Sequence, residues 1–498
     1  MFEKVTPESV GISSEHIKKY LNVLKRAELS IHDIVMIRNG KVFFEGYWKP
    51  FHKDFTHRLY SASKSFVSIA IGFLYQDGLI DLNAPAISYI NEDYVNDAPE
   101  YIKKQTIRDM LMMSTGKLLL SDAISFFKTK PDDRLRDYFT KKDEKLQGQK
   151  LPGAIFEYDS PGSFVLGSIV EIISGKTLIE FLKERLFDKI GVSDTIHCLT
   201  CPGGHAWGDS AVIANPLDFA KVCQFMLQKG EWNGEQILDR GYAEEATSNL
   251  ISSDRAGHLV PHAYGYGYQF WRTMDNSFYF CGMGSQFGIC TPDKNTVCVI
   301  NADTQGFSDA DVIIIGRLFE EIIEKASDAP LPENKEAYDS LCTISDNLTL
   351  YSLHDSVKNN AAIYSGKEFI MKENPMGITK LKFTFEGDEG KMEYTNAQGD
   401  KTIYFGIDKN VFAKFPQEGY SKEMATKFAP GHYYDCAASA TWTHENCLTM
   451  LVQIIDEYFG RLHMRISFMG DDKIAVMMDK IAEDFLGEYE GYMEGYLA

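Results

Sequence analysis

Long apolar runs are missing from this sequence. The most apolar stretch of its 498 residues, Ser65 to Gln76 (SFVSIAIGFLYQ), is 12 residues long, well short of the roughly 20 that cross a bilayer. It reads as a buried helix, and no membrane partner is expected. Positive charge is scarce too: 51 lysines and arginines face 71 acidic residues, a formal charge of −20 that repels phosphate backbones and anionic lipid. Nucleic acid is therefore not expected as a partner. The opening MFEKVTPESVG has acidic residues where an export signal carries a basic start and an apolar block. The cysteines are nine, an odd number scattered from 198 to 447, which excludes a dense disulfide framework and predicts reduced thiols in the cytoplasm. Solenoid repeats and low-complexity segments are absent as well.

What is present is an ordinary globular composition, 44% hydrophobic and 24% charged, in a chain long enough for two or three domains. Residues 5 to about 325 mix helical and strand patterns. Ser14 to Ala27 reads as a helix capped by Ser13 or Ser14. Ile34–Ile37 and Val42–Tyr47 flank Asn39-Gly40, a strong hairpin signal. Pro216 to Leu227 opens with proline, repeats apolar residues at helical spacing and stops near Gly230. The stretch Ala326 to Glu336, with Pro330 and Pro332, reads as a domain exit. Beyond about 345 strict alternation takes over, as in Leu462 to Phe468 before Gly470-Asp471-Asp472. That pattern predicts an antiparallel β domain, barrel or sandwich, over 345–498, behind a first domain over 1–330.

The chemistry gathers in the first domain. Ser61-Ala62-Ser63-Lys64 opens the apolar helix, and positions i and i+3 share a helix face, so the Ser61 hydroxyl and the Lys64 amine can meet. A buried lysine loses solvation and can become neutral enough to accept a proton, which would make Ser61 an activated nucleophile. Alone, the pattern equally describes a capping serine beside a solvated lysine. It has company in order, however. Tyr158-Asp159-Ser160 precedes a helix over 163–173, and a glycine-rich strand follows, Phe280-Cys281-Gly282-Met283-Gly284-Ser285-Gln286-Phe287-Gly288.

With RLYSASKSFVSIAIGFLYQDGLIDLNAP (58–85), IRDMLMMSTG (107–116), FEYDSPGSFVLGSIVEIISGKTLIEFL (156–182) and YGYGYQFW (264–271), this region resembles the serine β-lactamase and penicillin-binding-protein-like superfamily. The likeness is to its class C β-lactamase, carboxylesterase and nylon-oligomer hydrolase branch. The resemblance implies an α+β fold, an α/β/α sandwich around an antiparallel sheet plus an all-helical subdomain. It also implies a metal-free, cofactor-free serine hydrolase acting on an ester, amide or small peptide-like substrate through a Ser61 acyl-enzyme. In that scheme Lys64 and Tyr158 move the proton, an adjacent ammonium lowering the Tyr158 phenol. Ser160 would hydrogen-bond Lys64 or substrate, and the oxyanion hole would use the N–H groups of Ser61 and Met283 on the strand bearing Gly282 and Gln286. The resemblance likens the C-terminal domain to accessory, often lipocalin-like domains that narrow the cleft or build a homo-oligomer.

Two departures matter. β-Lactamases and D,D-peptidases carry a cation on the third strand to grip a substrate carboxylate, whereas Phe280-Cys281-Gly282 has none. This weighs against a true β-lactamase or D,D-peptidase, the alternative enzyme; a scaffold that kept the fold and lost activity is the alternative outside enzymes. Separately, His197, Cys198, Cys201 and His205 lie within nine residues, but without a second pair at zinc spacing they read as a loop near the site rather than a metal centre.

Overall fold

The computed structural model describes residues 2–117, 134–140, 150–254, 262–425, 427–482 and 486–498. They form two compact units, Met1–Thr349 with Lys422–Ala425, and Leu350–Ser421 with Thr426–Ala498. The first unit runs past the proline-bearing stretch at 326–336 because the helix Lys335–Asp346 buries Ala337 and Leu341, the latter in the same core as Leu21 and Phe44.

The centre of the first unit is a seven-stranded sheet. In spatial order its strands are Glu3–Lys4, Lys41–Tyr47, Ile31–Arg38, Thr296–Ala302, Gln286–Thr291, Phe278–Gly282 and Trp271–Arg272. All pairs are antiparallel except Glu3–Lys4 on Lys41–Tyr47. Every residue of Ile31–Arg38 is buried, which requires cover on both faces. Ile34, Met36, Ile289 and Ile300 pack with the helices Ser14–Arg26 and Ala310–Leu318, while the helix Pro216–Leu227 lies on the other face against Gly288. The expected sandwich is what the chain forms, and helices at Ser63–Gln76, Ile107–Leu111, Arg134–Thr140 and Ser160–Ser174 pack together beside it. Three helices begin on a side-chain cap: Ser13 accepts from the Glu15 N–H at the start of Ser14–Arg26, Asn215 caps Pro216–Leu227, and Asp159 caps Ser160–Ser174 through Gly162.

The glycine-rich segment 280–288, read from sequence as one strand, is in fact the end of one strand, a turn and the start of the next. Gly284 and Ser285 both have positive φ, 75° and 67°, and two consecutive left-handed residues reverse the chain.

The second unit is a barrel. Strands pair with their sequence neighbours from Glu368–Met371 to Gly399–Ile407 and again from Phe428–His444 to Gly491–Leu497; the last pairs back onto Glu368–Met371, and the ring closes where Gly406–Ile407 pairs in parallel with Ser439–Ala440. Nine strands of the described residues make the ring, with Val411–Tyr420 lying along the first part of Phe428–His444. Side chains fill the interior: Trp442 lies 5.4 Å from Phe385 and 6.0 Å from Phe468, and Tyr364 stacks on Phe468 at 4.2 Å. Trp442 is 1% exposed, so Trp442→Ala should remove about 3–5 kcal/mol of stability, read by calorimetry as a lower melting temperature with the Ser61 region unaffected. Among the described residues no helix is long and apolar enough to cross a membrane.

Candidate active site

Ser61 lies in a turn of 3-10 helix, Tyr60–Ala62, that leads into the helix Ser63–Gln76. Tyr60 takes a left-handed φ of 47°, a costly geometry for an aromatic residue that only dense surroundings maintain. The surroundings are visible. The Arg58 guanidinium sits 4.3 Å over the Tyr60 ring and 4.4 Å over that of Trp207, and donates to the carbonyl and hydroxyl of Ser210. Leu59 N–H donates to Val212 O, and Val212 N–H to Ser63 Oγ, at 2.8 and 2.9 Å. The segment 207–214 is thereby fastened along 57–64. On the sheet side, the end of the strand Phe278–Gly282 presses so close that a Cβ on Gly282 would stand 2.1 Å from the Leu59 carbonyl oxygen. Only glycine fits there.

These constraints bring Ser61, Lys64, Tyr158 and Ser160 together. Lys64 Nζ donates to Ser61 Oγ at 3.0 Å and to the Asp209 carbonyl at 2.6 Å, and lies 5.1 Å from the centre of the Tyr158 ring. The lysine is 1% exposed, and burial is the main reason its amine is pulled down to about 8, with Asp209 opposing and Arg134 assisting. The hydroxyls of Ser61 and Ser160 lie beside the Tyr158 phenol and draw its pKa down in part, and its ring stacks on Trp271 at 5.8 Å. Where an adjacent ammonium was expected to lower this phenol, burial dominates and pushes it well above its ordinary value, the two serine hydroxyls pulling back only in part. Tyr158 therefore rests as a neutral phenol, and Lys64 is the member of the pair that can change charge near neutral pH.

Of the remaining residues singled out from sequence, Met283 sits on the turn and is 41% exposed. Gln286 points away from the cleft: it is buried, and its amide donates to the carbonyls of Met283, Gly284 and Ala302. It holds the turn from beneath. Ser160 meets Tyr158, while Lys64 spends its hydrogen bonds on Ser61 and Asp209. Among the aromatics of 264–271, Tyr266, Tyr268 and Phe270 are core and Tyr264 is exposed. His197 donates to the Thr195 carbonyl, His205 pairs with Glu171, and Cys201 with Arg134. Among the described residues no group of three or more His, Cys, Asp or Glu is arranged to hold a metal ion.

Sequence reasoning missed Asp209 and Arg134. Trp207-Gly208-Asp209-Ser210 directly follows the cysteine and histidine loop, but nothing in its spacing relates it to Lys64. Gln269 was missed as well: its side chain ties Ser163 Oγ to the carbonyls of Met110 and Leu111, and its carbonyl accepts from Ser65 Oγ, locking the helix of Lys64 to that of Ser160.

An antiparallel sheet covered on both faces, with a helix-borne serine and lysine set against the end of the strand Phe278–Gly282, defines the β-lactamase-like class of folds. The family model described as Beta-lactamase matches residues 33–321, and the chain belongs to that family of hydrolases. A 6-aminohexanoate-dimer hydrolase of Paenarthrobacter ureafaciens is 27% identical over 222 residues, 42% of this chain and 55% of that relative. The match thus spans little more than half of that relative's length. Among solved structures, a Bacillus anthracis protein provisionally assigned as a 6-aminohexanoate-dimer hydrolase aligns with a TM-score of 0.51 at 19% identity, over 64% of this chain and 86% of its own. An octameric penicillin-binding-protein homologue of Pyrococcus abyssi aligns over 97% of this chain and 99% of its own, at 15% identity and a TM-score of 0.49.

Proposed function

We propose that the protein is a serine hydrolase of esterase or amidase type that works through an acyl-enzyme on Ser61. The observation that carries this reading is the buried Lys64 amine 3.0 Å from Ser61 Oγ, a base held close to neutrality in a site where no water is needed to reach the hydroxyl proton. In the first step Ser61 Oγ bonds to the substrate carbonyl carbon as its proton passes to Lys64. The carbonyl electron pair moves to oxygen, facing the N–H groups of Ser61 and Met283. Collapse expels the alcohol or amine, which leaves with a proton delivered through Lys64 and Tyr158. Water then attacks the acyl carbonyl by the reverse route, the serine ester breaks, the acid departs and Ser61 regains its proton. Ser160 steadies Tyr158, and the substrate is an ester, amide or small peptide-like molecule. The relatives named as 6-aminohexanoate-dimer hydrolases support a small-molecule substrate. Nine free thiols support a reducing, cytoplasmic setting.

The test is exposure of the protein to a fluorophosphonate probe followed by intact mass and peptide mapping. A single adduct on the peptide carrying Ser61, absent in Ser61→Ala, is expected. No adduct, or equal labelling of Ser61→Ala, overturns the reading.

A further inference from the structure

Asp209 is bound twice. Its main-chain carbonyl accepts from Lys64 Nζ at 2.6 Å, and its side chain, 0% exposed, lies 3.4 Å from Nη1 of Arg134, itself 5% exposed. The same Nη1 donates to Cys201 Sγ at 3.3 Å, and the guanidinium lies 4.4 Å over the Phe164 ring and 5.6 Å from that of Trp207. A guanidinium in so dry a place keeps its charge, and it is anchored by a carboxylate, a sulfur and two ring faces. Two cationic side chains therefore flank one residue, one on its carboxylate and one on its backbone.

We infer that Arg134 and Asp209 are positioning residues for the reaction proposed above: Asp209 fixes the Lys64 amine on Ser61, and the permanent charge of Arg134, by neutralising the Asp209 carboxylate, keeps that amine free to accept a proton. The inference rests on the acyl-serine reading. The groups facing Lys64 are Ser61 one helical turn away, Asp209 on the segment 207–214, Arg134 on its helix, Tyr158 and Asp159 before the helix Ser160–Ser174, and Cys281 on the strand Phe278–Gly282. Asp209, Asp159 and Cys281 favour the ammonium, while burial and Arg134 oppose it. Only Arg134 among the named side chains is a fixed cation, so its removal tips the balance one way: Asp209 faces Lys64 uncompensated and the ammonium is favoured. Removing the Asp209 charge tips it the other way.

The experiment is the pH dependence of the rate at which the fluorophosphonate probe labels Ser61, in the full chain and in Arg134→Lys, Arg134→Gln and Asp209→Asn. Arg134→Gln should raise the midpoint of the acid limb by about one pH unit, so that labelling at pH 7 falls about tenfold while rates converge above pH 10. Arg134→Lys should restore the original midpoint, and Asp209→Asn, which keeps the backbone carbonyl, should lower it. A merely structural role would slow all three variants without moving the midpoint. Unmoved midpoints, or a rise in Asp209→Asn, overturn the inference; if Arg134→Gln fails to fold, Asp209→Asn and Arg134→Lys still decide it. Absence of Ser61 labelling in the unaltered chain at every pH overturns the acyl-serine reading itself, and this inference with it.

Discussion

Lys64→Met should lower the acylation rate of Ser61 by roughly 10³-fold to 10⁴-fold while leaving the fold intact. Methionine matches the length and apolar stem of lysine, and the stem already lies among buried neighbours, so the change removes the base rather than the packing. The pH profile separates this from a loss of shape. In the unaltered protein the reactive form has a neutral Lys64, and burial holds that amine at about 8. The rate should therefore climb with pH up to about 8 and then level, falling about tenfold for each pH unit below. Lys64→Met should lose that acid limb along with most of the rate. Stopped-flow acylation with an activated ester between pH 5 and 10 reads both. A variant that is slow but keeps the limb would mean that another group is the base.

Gly282→Ala should be the second most damaging single change, and it touches no reacting atom. The added methyl would stand 2.1 Å from the Leu59 carbonyl oxygen and 3.0 Å from the Gln286 Cβ. Neither can retreat cheaply. Leu59 is tied to Val212 by its own N–H, and the Gln286 amide is spent on three carbonyls. The strand Phe278–Gly282 must therefore move away from the turn that carries Ser61, widening the gap between the Met283 and Ser61 backbones. A displacement near 1 Å in such a site costs about 100-fold in rate, and the overpacking about 1–3 kcal/mol in stability. The loss should fall on kcat more than on KM, and calorimetry should show a lower melting temperature. Near-normal turnover would mean that the strand and the serine turn are not held in register as described.

Much of this was legible in the sequence because it is local. The helix start at Ser13 is written by a side chain that satisfies a free N–H of its own first turn, and Pro216 marks the start of its helix; the helix read from 163 begins at Ser160 instead, because the Asp159 side chain accepts from the Gly162 N–H. The Asn39-Gly40 hairpin and the alternation of Leu462 to Phe468 are likewise decided by neighbours in the chain. The Ser61 and Lys64 pairing belongs to the same kind, since three residues along a helix is a fixed distance. The glycine-rich segment failed for a local reason too subtle for pattern: Ser285 adopts a left-handed conformation that its side chain does not advertise.

By itself, then, the sequence determined an α+β domain of this family with Ser61, Lys64 and Tyr158 in order, followed by an antiparallel β domain, because periodicity, capping and motif spacing are properties of short stretches. Only the tertiary structure decided what those residues experience. Lys64 is made a weaker base by burial and by Arg134, against the opposing pull of Asp209, residues 70 and 145 positions away in the chain. Gln286 turns from the cleft to brace a turn, and the last domain closes as a barrel through a parallel contact between Gly406–Ile407 and Ser439–Ala440. Desolvation and charge depend on which distant segments are packed against a group, and no spacing along the chain encodes that.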